Sequence, residues 1–139
     1  LLKNIAVSFA ISLDAEDSSI RFSSKIMSGM GDFTGDKVKL EEVILNLLQN
    51  AKDAVGFEGS ITLSAERKND TIIIRCQDDG CGIPADRIET IFDPFVTYKE
   101  NGTGLGLSSA RRIAEAHGGS IEVKSSPESG TVFTVTLPV

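Results

Sequence analysis

The stretch Gly102-Thr103-Gly104-Leu105-Gly106-Leu107-Ser108 crowds three glycines into the start of an apolar-periodic segment. Glycine lets backbone approach an anion closely, and the free amides and dipole of a helix start favour negative charge, so this segment spells a phosphate cradle. Its spacing is neither G-x-G-x-x-G nor G-x-x-x-x-G-K-[ST], and no strand directly precedes it, which disfavours the dinucleotide and P-loop folds. Read alone, it is equally a flexible loop with a helix start. In Asp78-Asp79-Gly80-Cys81-Gly82 a carboxylate stands at a strand end beside two glycines. A flat ligand could slide against backbone there, and a carboxylate is a good acceptor for an exocyclic amine; a plain strand-terminating turn has the same composition. Asn46 and Asn50 lie one helical turn apart with Asp53 beside them. Asparagine is a poor helix former, and one side-chain carbonyl completed by phosphates and water suits Mg²⁺; a solvated polar face is the competing reading.

These residues need a scaffold, and the pattern supplies one. Leu2, Ile5, Ala6, Phe9 and Leu13 are at helical spacing, which predicts a first helix ending near Asp17. Ile20, Phe22, Ser24 and Ile26 alternate as a strand, and a glycine-rich loop follows from Ser28 to Gly35. Asp36 is an N-cap for a helix over Val38 to Val55, with Leu40, Val43, Ile44, Leu47, Ala51 and Ala54 on one stripe and Glu42, Asn46, Gln49, Asn50 and Asp53 opposite. Ile61 to Ala65 and Thr71 to Gln77 form an antiparallel hairpin that runs into the Asp78 segment. Pro84 opens a short helix over Ala85 to Ile91, and another helix runs from Leu105 to Ala116 until Gly118-Gly119 stops it. Strands Ser120 to Ser125 and Thr131 to Leu137 flank a final turn. The expected fold is α+β, a two-layer sandwich in which a mixed, mostly antiparallel sheet of about five strands packs against about three helices.

Composition narrows the function classes. One domain spanning residues 1–139 is expected, cut from something longer. With 40% hydrophobic and 24% charged residues the chain is globular rather than disordered, and no apolar run or leader-like start points to a membrane or to export. A net charge of −6 with scattered basic residues argues against nucleic acid. Cys76 and Cys81 match no zinc or redox pattern and read as reduced thiols, Cys81 as a space-filler. Asn101-Gly102-Thr103 matches a glycosylation pattern but falls in a domain expected in the cytoplasm.

Taken in order, the segments resemble the ATP-binding catalytic domain of sensor histidine kinases, within the superfamily that holds gyrase, large heat-shock chaperones and mismatch-repair ATPases. The resemblance covers Asp36 to Val139: an N box at Leu45 to Ala54, a first glycine box at Asp78-x-Gly80-x-Gly82-Ile83, an F box at Ile91 to Phe95, a second glycine box at Gly102 to Leu107, and the closing Gly130-Thr131-Val132-Phe133. It implies that Asn50 holds Mg²⁺ with Asp53 nearby, and that Asp78 bonds the adenine amine with support from Thr131. Gly80, Gly82 and Ile83 would shape the base pocket. Residues 92–104 would be a lid packed down by Phe95, with Lys99 near the phosphates and Gly102, Thr103, Gly104, Leu105, Gly106 and Leu107 around the triphosphate. The lid is short, closest to the nitrogen-regulation type.

The resemblance implies catalytic roles for Asn46, Asn50 and Lys99, ATP and Mg²⁺ as cofactors, and transfer of the γ-phosphoryl group to a histidine. That histidine would sit on separate dimerisation helices of a homodimer and pass its phosphoryl to a response regulator receiver domain. No acceptor helix pair is present, and His117, before Gly118-Gly119, reads as a helix C-terminal residue rather than the acceptor. Two other readings compete. An ATP hydrolase would need a glutamate where Asn46 stands, and a regulatory module would signal by lid closure alone.

Overall fold

The computed structural model describes residues 2–15, 19–27, 35–56, 58–93, 106–126 and 128–138. Among the described residues four helices and five strands follow in the order α1 (Leu2–Ala15), β1 (Ser19–Ile26), α2 (Lys37–Val55), β2 (Glu58–Lys68), β3 (Thr71–Asp78), α3 (Ala85–Ile88), α4 (Gly106–Ala116), β4 (Ser120–Ser126) and β5 (Gly130–Pro138). The strands form one sheet in the order β1-β2-β3-β5-β4. β1 runs parallel to β2 and every other pair is antiparallel. The expected α+β sandwich is what forms, with β5 inserted between β3 and β4.

Period-two alternation divides the sheet into two faces. Ile61, Leu63 and Ala65 of β2, Ile72, Ile74 and Cys76 of β3, and Phe133, Val135 and Leu137 of β5 point inward and are buried. Intervening positions form a polar outer surface, where Arg21 bonds Ser60, Ser23 meets Thr62 and Arg75 pairs with Glu66. One packed face and one solvated face is the usual arrangement for such a sheet. The helices cover the packed face: α2 contacts β2 and β3, α4 contacts β4 and β5, and α1 packs on β1 and α2. Phe9 of α1 meets Phe22 of β1 edge to face at 5.0 Å.

α2 begins where the sequence places it. Asp36 Oδ1 accepts the amides of Val38 and Lys39 at 3.0 and 3.2 Å, and Gly56 ends the helix with φ 69°. α1 ends at Ala15, and Asp17 lies outside the described residues. α3 is shorter than expected. It stops at Ile88, and Thr90 Oγ1 bonds the Arg87 carbonyl while Thr90 and Asp93 amides close three-residue turns, so local side-chain bonding replaces the helical ladder. Ile91 remains buried beyond it.

Leu47 and Leu48 are fully buried where α2 crosses the sheet. Leu47→Ala should destabilise the domain by about 2–5 kcal/mol through lost burial and the cavity left behind. Urea denaturation at constant m-value checks this, and a loss below about 0.5 kcal/mol would mean that α2 is not the core's centre.

Candidate functional site

Three of the segments picked out by residue type meet along α2. The Asp78 segment leaves β3 and turns onto α2: the Cys81 amide donates to the Ala54 carbonyl at 3.3 Å, and a Cβ on Gly80 would stand 2.5 Å from the Ala54 backbone. Only glycine permits that approach. Asp79 fixes the same turn on β2, its Oδ1 accepting the Ser60 amide at 2.7 Å. From the opposite side Asn46 reaches α4, its Nδ2 donating to the Gly106 carbonyl at 3.1 Å.

Asp78 is the most constrained polar residue here, 3% exposed at the end of β3. Its Oδ1 accepts the Gly80 amide at 2.9 Å. Burial raises its carboxyl above the ordinary 3.8, the Gly80 and Thr131 amides act against that shift, and the Asp79 charge adds to it. Thr131, also 3% exposed, stands opposite Asp78 across the β3–β5 ladder. Gly130 beside it has φ 86°, and a Cβ there would meet the Asp78 carbonyl at 2.1 Å. Behind Asp78 the Cys76 thiol donates to the Leu47 carbonyl at 3.7 Å, and burial, then the Asp78 charge, push it up to about 12. It is a packed, unreactive thiol; Cys81 is exposed, and both are free.

Asn46 and Asn50 are half-buried one turn apart on α2, and Asp53 is exposed beyond them, accepting from Gln49 Nε2 at 3.1 Å. Gly106 and Leu107 form the first residues of α4, both half-buried, and Gly82 (φ 72°) and Ile83 continue the turn beyond Gly80. Phe95, Lys99, Gly102, Thr103, Gly104 and Leu105 lie outside the described residues. Phe92 of the F box packs edge to face on Phe133 at 6.2 Å under the Arg111 guanidinium, 5.6 Å from its ring centre. His117 Nε2 accepts the Asp36 amide at 3.1 Å, so Nδ1 carries the proton and donates to the Ile113 carbonyl at 2.9 Å. It ties the end of α4 to the start of α2.

Sequence reasoning missed one residue at this site. Ser125 Oγ accepts the Ile83 amide at 2.7 Å and lies 3.1 Å from the Gly130 carbonyl and 2.8 Å from Thr131 Oγ1. A polar residue continuing the inward Ile121, Val123 pattern of β4, opposite Thr131 in the final hairpin, was the available signal.

The two-layer sandwich brings a buried carboxylate at a strand end, asparagines on the neighbouring helix and a glycine-led helix start into one region, an arrangement whose chemistry suits a nucleotide. The family described as histidine kinase-, DNA gyrase B-, and HSP90-like ATPase matches residues 35–139, and the chain belongs to it, as an ATP-binding catalytic domain of the histidine kinase kind. Sensor histidine kinase ZraS of Salmonella typhi is 42% identical over 130 residues, covering 93% of this chain and 28% of that protein. The chain therefore spans under a third of the length of full sensor kinases such as this one. The nucleotide-free catalytic domain of histidine kinase ThkA superposes with a TM-score of 0.83 at 31% identity over 98% of this chain and 88% of that one. A structure of ThkA in complex with the response regulator protein TrrA matches with a TM-score of 0.81 at 30% identity over 99% of this chain and 39% of that one. No helix among the described residues is long and apolar enough to cross a membrane.

The direction of the Asp78 shift gives a stability test. A carboxyl that holds its proton more tightly when folded contributes most below its unfolded pKa and loses that contribution as pH rises through the folded value. From about pH 4 toward neutrality, native stability should therefore fall relative to Asp78→Asn. At neutral pH the ligand-free variant should be at least as stable as the native chain. Urea denaturation across that range checks this, and a native chain that gains on the variant with rising pH would reverse the assignment.

Proposed function

We propose that this domain binds ATP as its magnesium complex and donates the γ-phosphoryl group to a histidine on a separate dimerisation domain, from which it passes to a response regulator receiver domain. The observation that carries this reading is the buried Asp78 carboxylate, held open as an acceptor beside glycine backbone at one end of α2. Asp78 accepts the adenine amine, Thr131 supports it, and Gly80, Gly82 and Ile83 form the wall of the base pocket. The helix start at Gly106 and Leu107 faces the phosphates, together with Lys99, Gly102, Thr103, Gly104 and Leu105. Phe95 would pack down the lid of residues 92–104.

Among the described residues no group of three or more His, Cys, Asp or Glu is placed to hold a metal. A hard cation would here depend on phosphate oxygens, water and one amide carbonyl, a donor set that fits Mg²⁺. Asn50 would hold it, with Asp53 at the margin, and the ion would neutralise charge on the phosphates. Phosphoryl transfer of this kind depends on positioning and electrostatics. An imidazole nitrogen of the acceptor attacks the γ-phosphorus, the bond to the bridging oxygen breaks, and ADP leaves. Asn46 stands where a hydrolase would keep a glutamate base; an amide takes no proton from water, which favours the kinase over the hydrolase. The whole protein would act as a homodimer with its catalytic domains in the cytoplasm, whether or not it is membrane-anchored.

The chain alone should bind ADP and ATP without labelling itself. With radiolabelled ATP and a purified dimerisation domain of a related kinase, label should appear on the acceptor histidine and not on His117. Asp78→Asn should weaken ATP about ten- to a hundredfold in titration calorimetry, the loss of a charge-assisted hydrogen bond. Asn46→Ala should keep most of the binding and lower transfer. Steady release of free phosphate by the chain alone at about 1 per second would replace the kinase reading with a hydrolase.

A further inference from the structure

Ser125 has no part in the roles above, yet its hydroxyl joins the Ile83 turn to the Gly130–Thr131 end of β5, beside Asp78. It lies on the inward-facing row of β4 after Ile121 and Val123, half-buried, where the pattern calls for an apolar side chain. A serine hydroxyl has one proton and two lone pairs. The Ile83 amide takes one lone pair at 2.7 Å, and Ile83 is the last donor before Pro84, which has none. The proton has two acceptors within reach, the Gly130 carbonyl at 3.1 Å and Thr131 Oγ1 at the shorter 2.8 Å. When Ser125 donates to Thr131, the Thr131 proton is released to turn toward the pocket. When it donates to Gly130 instead, Thr131 must donate back to Ser125 and presents only lone pairs.

We propose that Ser125 is a positioning and specificity-determining residue of the nucleotide site: its hydroxyl pins the Ile83 amide and directs the Thr131 proton toward the base. This rests on the assignment of Asp78 and Thr131 to the adenine pocket. The pocket then offers a carboxylate acceptor beside a hydroxyl donor. Adenine presents the complement, an amine donor next to a ring-nitrogen acceptor, met by Thr131 directly or through one water. Guanine presents the reverse order, a carbonyl facing Asp78 and a ring N–H facing the hydroxyl donor, and buried polar groups left unpaired in this way discriminate strongly.

The test compares the native chain, Ser125→Ala, Ser125→Thr and Asp78→Asn for ADP and GDP binding by calorimetry, with Ile83 amide exchange by NMR and thermal melting as parallel readouts. Ser125→Ala should bind ADP about tenfold more weakly with GDP affinity unchanged, so that the ADP-to-GDP preference shrinks. The Ile83 amide should exchange faster while the melting temperature moves by only about a few degrees. Ser125→Thr keeps a hydroxyl in place and should restore the ADP affinity and the preference. ADP affinity of Ser125→Ala within about twofold of native, equal weakening of both nucleotides, or no rescue by threonine would each overturn the proposal. If the native chain does not bind ADP, the nucleotide reading falls and this inference with it. If Asp78→Asn loses ADP while Ser125→Ala keeps it, only the inference falls.

Discussion

A carboxylate 3% exposed at the end of a central strand, with burial holding its proton too tightly, sets the terms for the whole site. An ionised group in that position disfavours folding unless donors meet it, and here the donors are backbone amides of Gly80 and Thr131. For those amides to arrive, two chain segments must come closer than a Cβ allows. Gly80 lies against the Ala54 backbone, and Gly130, at φ 86°, lies against the Asp78 carbonyl. Glycine at both positions thus permits the approaches through which the two amides reach the carboxylate. The β3–β5 ladder runs to the Asp78–Thr131 pair and brings the second amide into place.

That charge is tolerable because the surrounding scaffold is stiff. α2 presses Leu47 and Leu48 onto the inward rows of β2 and β3, and the buried Cys76 thiol donates to the Leu47 carbonyl directly behind the carboxylate. Core packing at native density leaves little freedom for strand ends to drift, so the Asp78 turn is placed by apolar burial and only trimmed by hydrogen bonds. Asp79 and Ser125 do the trimming, one tying the turn to β2 and the other tying it to the last hairpin.

Local signals carried most of this fold. The Asp36 cap, the stripe from Leu40 to Ala51, buried short of the half-buried Ala54 where the spacing would end it, and the hairpin of β2 with β3 each follow from short-range spacing. What the sequence could not show was non-local. β5 pairs with β3 rather than with β4 alone, and β1 joins β2 in parallel through the α2 crossover, because sheet order depends on which edges remain open after the helices dock. The short α3 was misjudged for a different reason: its pattern is helical, but Thr90 offers the Arg87 carbonyl a side-chain partner. At the site, residue types pointed to Asp78 and the asparagines, whereas Ser125 became visible only when the hairpin register set it against Thr131 and the Ile83 turn came down on it.

The asparagine at position 46 makes a stronger case than the loss of a base alone. α2 and α4 run antiparallel, tied at one end by His117 to the Asp36 amide and at the other by Asn46 to the Gly106 carbonyl. A glutamate at 46, ionised at neutral pH, has acceptors only and would face that carbonyl oxygen with like partial charge. An amide supplies the missing donor. The amide at 46 therefore also anchors the first residue of α4, the helix start that we propose faces the phosphates. A helix start fixed in this way holds its dipole and donors in one orientation, which is what the proposed phosphoryl transfer, governed by positioning, would require of it.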